Sequence, residues 1–86
     1  MASYSVSFAG AAQRQFDKLP KPAQRRLGAV IAQLADDPRP SGVVKLSAED
    51  GLHRVRDGDY RAVYRIEDNR LLVLVVKVGH RRDIYR

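Results

Sequence analysis

The sequence predicts a small two-layer α+β domain in which an N-terminal strand and a helical hairpin precede an antiparallel β-meander. Three observations carry that expectation. Apolar residues recur at helical spacing up to Leu34, the period changes to two from Leu52 onward, and an Asp57-Gly58 step separates the first two alternating runs. The chain has 86 residues, 44% of them hydrophobic, which suffices for one core and one domain spanning residues 1–86.

Tyr4 to Phe8 alternates polar and apolar residues and reads as the first strand. Ala9 to Leu19 is rich in helix formers and sets Ala12, Phe16 and Leu19 on one side. Pro20 and Pro22 stop that helix and open a second, because proline suits a first helical turn and not an interior one. In the second helix Leu27, Val30, Ile31 and Leu34 fall at i, i+3, i+4 and i+7, and Asp36-Asp37-Pro38 ends it. Residues 38 to 51 are loop-rich, with a short strand allowed at Val43 to Leu46. Leu52 to Arg56, Tyr60 to Glu67 and Leu71 to Val78 then read as three strands.

The pleat assigns faces. Ala62, Tyr64 and Ile66 are expected under the helices, with Arg61, Val63 and Arg65 on the other side; Val55 points inward and Arg54 and Arg56 outward. A turn at Asp57-Gly58 sets Arg54 across from Arg61, whereas a Gly58-Asp59 turn sets Arg56 there, and both stay open. A three-residue loop Asp68-Asn69-Arg70 would pair Arg61 with Lys77. It would bury Leu72, Leu74, Val76 and Val78 and turn the lysine outward. Three cations then stand in a row. Like charges opposite one another weaken a sheet by about 0.2–1 kcal/mol per pair, so the row points to an anion.

Composition agrees. Sixteen Lys and Arg against ten Asp and Glu give a net charge of +6, which favours a polyanionic partner. Most of the basic residues are arginine, whose planar fork suits phosphate. With no cysteine and two histidines, the chain has no thiolate metal site and no disulfide framework, and no cofactor is expected. The N-terminus does not read as a signal peptide. The longest apolar run, Leu71 to Val76, is too short to span a membrane, so a cytoplasmic protein is expected.

Two motifs combine these features: Gly58-Asp59-Tyr60-Arg61 with Tyr64, and Val78-Gly79-His80-Arg81-Arg82 with Tyr85. Together they resemble the RelE/ParE toxin superfamily, on its RelE side, over nearly the whole chain. The resemblance implies the RelE-like fold and the toxin of a type II toxin–antitoxin system. It implies metal-free endoribonuclease action on messenger RNA, in the ribosomal A site, by attack of the 2′-hydroxyl on the adjacent phosphate. Partners would be mRNA, the ribosome and an acidic, partly disordered cognate antitoxin in a hetero-oligomer. Matched residue by residue, Arg54 falls near the scissile phosphate and Arg61 binds it. Arg81 stabilises charge or protonates the leaving group, and Tyr85 stacks on or orients a nucleotide. Arg56, Arg65, Lys77, Arg82 and Arg86 would add phosphate contacts. One departure stands out: the family's lysines are missing from the strand holding Leu52, His53 and Arg54, and arginine is a poor base. His80 is the substitute, since imidazole titrates near neutrality. His53, Tyr60, Tyr64, Asp57, Asp59 and Asp83 read as structural. The rivals are a ParE-like toxin that inhibits DNA gyrase and an inactive RNA-binding relative.

Overall fold

The computed structural model describes residues 3–47 and 51–84. Strand β1 (Ser5–Phe8) leads into helices α1 (Gly10–Asp17) and α2 (Lys21–Gln33), followed by β2 (Val44–Ser47), β3 (Leu52–Asp57), β4 (Tyr60–Glu67) and β5 (Leu72–His80). The sheet order is β1-β5-β4-β3-β2. The helical hairpin carries the chain from one sheet edge to the other, and the meander walks back until β5 meets β1. That last pairing is parallel, whereas β2 to β5 pair antiparallel in sequence. The weakly signalled strand after Gly42 therefore exists, as the edge strand β2.

Both helices lie on one face, α1 against β5 and α2 against β3 and β4. Their junction is closed by Gln24, whose side-chain amide donates to the carbonyls of Asp17 (3.0 Å) and Leu19 (2.9 Å) left over at the end of α1. The core joins Ala12, Leu27, Ile31 and Leu34 of the helical layer to Val55, Ala62, Tyr64, Ile66, Val73, Val75 and Val78 of the sheet. Burying a side chain the size of Leu27 or Leu34 contributes about 1.5–3 kcal/mol. Among the described residues no helix is long and apolar enough to cross a membrane.

The structure decides one open point of the meander and corrects another. The β3–β4 turn is Gly58-Asp59, so Arg56, not Arg54, stands opposite Arg61. Gly58 has φ +61° at the first central position, as a type II′ hairpin requires. The β4–β5 loop has four residues, not three: a 3₁₀ turn at Asp68–Arg70, then Leu71 in the left-handed region, and Glu67 pairs with Leu72. That shift puts Val73 and Val75 in the core instead of Leu72 and Leu74. A bulge then restores the parity. Tyr64 pairs with Val75 and Val63 with Lys77, leaving Val76 extra. Beyond it Val78 is 3% exposed in the core and Lys77 stands on the opposite face, as expected, but across from Val63 and not from Arg61. Arg61 instead faces Gly79.

Two polar ties hold the long α2–β2 connection. Tyr64, fully buried, donates its hydroxyl to the Pro38 carbonyl at 2.6 Å, and burial pushes its pKa up to about 12. Asp68 accepts two bonds from Arg39 (3.2 and 2.8 Å) and one from the Tyr4 hydroxyl. Those bonds, first Arg39 and then Tyr4, draw its carboxyl down to about 2 from an ordinary 3.8.

Tyr64→Phe should cost about 1–3 kcal/mol in urea denaturation, because the buried Pro38 carbonyl loses its donor. Asp68 has a depressed folded-state pKa. Its contribution is therefore complete above pH 3.8 and is lost as pH falls toward 2. Thermal midpoints across that window should fall more steeply in the wild type than in Asp68→Asn.

Candidate nucleic-acid interface

The helices leave the other face of the sheet uncovered, and alternation sends the arginines of β3 and β4 there. Three cross-strand rows follow from the register. Arg56, Arg61 and Gly79 form one; Arg54, Val63 and Lys77 form the next; Leu52, Arg65 and Leu74 form the third. Val63 is only 9% exposed although it lies outside the core, in line with neighbouring long side chains lying over it. The face is thus basic toward the β3–β4 turn and apolar toward the other end. There Leu52, Leu72 and Leu74 are half-buried, and Val44 (39%) and Leu46 (40%) are exposed.

Arg61 is the centre of the basic half. Burial, then the like charges of Arg54, Arg56 and Arg81, lower its pKa, with Asp59 acting in the opposite direction. Its guanidinium donates to the Gly58 carbonyl at 3.1 Å. Gly79, directly across the ladder, has no side chain and lies between Lys77 and Arg81 along the chain. Arg61 thus faces Gly79 across the ladder, Lys77 and Arg81 flank it along the chain, and a Cβ there would stand 3.9 Å from the Asp83 side chain.

The hairpin turn also holds Arg81. Its N–H donates to the Asp59 carbonyl at 2.7 Å, and its Nε lies 3.6 Å from the Asp59 carboxylate. By sequence Asp59 reads as a plain turn residue, because nothing in its neighbours shows that β5 ends beside it. The next turn folds back on the His80 carbonyl, which accepts from Asp83 (2.8 Å) and Ile84 (3.1 Å), and it buries Ile84.

His80 does not join the arginines. It pairs across the ladder with Tyr60 and its ring meets the Tyr60 ring edge-on, centroids 5.5 Å apart, on the helical side of the sheet. Nε2 lies 3.9 Å from the Asp59 carboxylate and Nδ1 accepts the Arg82 N–H at 3.2 Å. His53, as expected, is buried on the helical side, with Nδ1 3.0 Å from the Gly51 carbonyl and its ring stacked on Tyr64. Asp57 pairs with Arg26 at 2.8 Å. Arg65 and Arg82 are exposed, whereas Tyr85 and Arg86 lie outside the described residues. Among the described residues no three His, Asp or Glu side chains are grouped to hold a metal ion.

The sequence profile described as the ParE toxin of the type II toxin–antitoxin system matches residues 6–85. The chain belongs to the RelE/ParE toxin superfamily. Within it, Toxin RelG of Mycobacterium tuberculosis is 37% identical over 96% of this chain and 97% of its own. The RelBE2 toxin–antitoxin complex of the same organism matches at 35% identity and TM-score 0.73, covering 96% of this chain and 97% of that one. The archaeal RelE–RelB complex of Pyrococcus horikoshii OT3 matches at 27% identity and TM-score 0.83, covering 94% and 98%. This RelE-family toxin thus has the fold its motifs imply.

Crowded like charge at Arg61 should weaken the fold slightly. Arg61→Gln should melt at the wild-type temperature or above it, within about 0.5 kcal/mol. Added salt should stabilise the wild type more than the variant, because screening relieves a repulsion the variant lacks. Thermal melts at low and high salt check both signs.

Proposed function

We propose that this toxin is an endoribonuclease that cleaves messenger RNA, in the ribosomal A site, without a metal ion. The observation that carries the proposal is the crowding of Arg54, Arg56 and Arg81 around Arg61 beside the side-chain-free Gly79. Like charges gathered on a water-facing surface favour a phosphate there, and more so as its charge builds up in a transition state. The 2′-hydroxyl attacks the adjacent phosphorus, the bond to the 5′-oxygen breaks, and a 2′,3′-cyclic phosphate and a 5′-hydroxyl end result. Arg61 and Arg81 hold the non-bridging oxygens, with Asp59 orienting Arg81. Arg54 and Arg56 extend the contact along the strand, and Arg65 and Arg82 add phosphate affinity, with Arg86 and Tyr85 assigned by the motif alone. His80 is reassigned from base to support of the Arg81 turn, given the bond it accepts from Arg82 and its place beside Asp59.

The partner is an antitoxin of acidic and apolar character. The half-basic, half-apolar open face favours such a segment, and the solved relatives include toxin–antitoxin complexes. A covering segment would mask the arginines and the exposed Val44 and Leu46 together.

A second reading, inhibition of DNA gyrase, is favoured by the ParE description of the matching profile. Fold does not separate the two branches. Arg61→Ala should lose about 100-fold or more in cleavage, as when one transition-state donor is removed, while melting as the wild type does. RNA ends mapped from purified toxin with ribosomes, and from isolated RNA in excess chelator, give the measurement. Undiminished cleavage by Arg61→Ala, or gyrase inhibition without cleavage by the wild type, would exclude the nuclease reading.

A further inference from the structure

Lys77 owes its position to an irregularity. Val73 and Val75 face the core, so unbroken alternation along β5 would drive Lys77 into the core and push Val78 out. The extra residue Val76 exchanges the faces at that point, and Lys77 emerges beside Val63 with Arg54 beyond it. The displaced backbone is satisfied from the helical layer, where the Val78 N–H donates to the Gln15 side chain at 2.8 Å. Bulges commonly re-aim a side chain beside an active site. Here the side chain is the one lysine of the basic rows.

That chemical difference matters because the cleavage proposed above must protonate the departing 5′-oxygen. Arginine does not release its proton in proteins. The Asp59 carboxylate is engaged with Arg81, whose Nε lies 3.6 Å away. His80 turns its ring to Tyr60 and has Nδ1 bound to the Arg82 N–H. Among the described residues around Gly79, a lysine ammonium both carries a proton at neutral pH and gives it up. Lys77 is the diagonal neighbour of Arg61 across the ladder and lies two residues from Gly79.

We propose that Lys77 is the proton donor to the leaving 5′-oxygen, a role that rests on the RNA-cleaving reading. The 2′-hydroxyl gives its proton to water as its oxygen bonds to phosphorus. The bond between phosphorus and the 5′-oxygen breaks, and that oxygen takes the proton of the Lys77 ammonium. The free amine then regains a proton from water, so the balance closes without a further reactant.

The test compares wild type, Lys77→Arg and Arg61→Ala on messenger RNA in the ribosomal A site, and on the same message with sulfur replacing the scissile 5′-oxygen. The sulfur departs without protonation. Lys77→Arg keeps the charge, so RNA affinity and melting temperature should match the wild type. Single-turnover cleavage of the oxygen substrate should fall about 100-fold or more, the range of acid–base catalysis. The sulfur substrate should restore Lys77→Arg to within a few-fold of wild type and leave Arg61→Ala impaired. The wild-type rate on oxygen should also drop on the alkaline side, where lysine deprotonates, with no such limb in Lys77→Arg. Wild-type cleavage by Lys77→Arg, or an equal loss on both substrates, would make Lys77 a phosphate contact and end the proposal while the nuclease reading stands. Cleavage of neither substrate by wild type would remove both.

Discussion

Strand β5 must bond to β1 on one side and β4 on the other while it buries valines from a nearly continuous apolar run. A pleated strand serves only one parity at a time. The four-residue turn before β5 selects Val73 and Val75 for the core, and α1 needs Val78 further along. Those demands differ by one residue, and the bulge at Val76 absorbs the difference. What happens on the uncovered face follows from it. Lys77 is turned outward, Gly79 comes opposite Arg61, and the strand ends where the Gly58-Asp59 turn can bind Arg81.

The site is therefore assembled by backbone register, with few side chains holding it. The Gly58 carbonyl accepts from Arg61, and Asp59 receives Arg81 through both its carbonyl and its carboxylate. A tight hairpin turn thus anchors one arginine from its own strand and one from the end of another. This preorganisation opposes the mutual repulsion of four arginines, and the core on the far side of the sheet supplies the stability that permits it. The arginines proposed to bind RNA and the buried core lie on opposite faces of one layer.

Membership of the RelE/ParE superfamily rests on a profile match over nearly the whole chain and on relatives of matching length. The superfamily fold serves toxins of different targets, so residues must separate the branches. On the proposed nuclease reading, those residues are the arginines near Gly79. His80 belongs to the same motif but works from the helical side, packed on Tyr60 and bonded to the turn that carries Arg81 and Arg82.

Much of this was legible locally. The helical spacing of Leu27, Ile31 and Leu34, the prolines between the helices and the alternation of Ala62, Tyr64 and Ile66 follow from neighbours a few residues apart, and all reappear in the core. The outward set Arg54, Arg56, Arg61 and Arg65 was equally readable, because parity within one strand is a local property. Two of its consequences were not. Both Asp57-Gly58 and Gly58-Asp59 make good hairpin turns by composition, and only the packed sheet chose the second, placing Arg56 across from Arg61. The β5 run Leu71 to Val76 is apolar on both parities, so it contains no sign of which valines go inward or where a bulge is needed. Local pattern specifies most of the elements, the basic character of one sheet face and the family resemblance. Which cations meet, and that the His80 ring packs on Tyr60, depends on packing, because register is set by contacts between strands and against α1, and a one-residue shift moves every side chain to the other face.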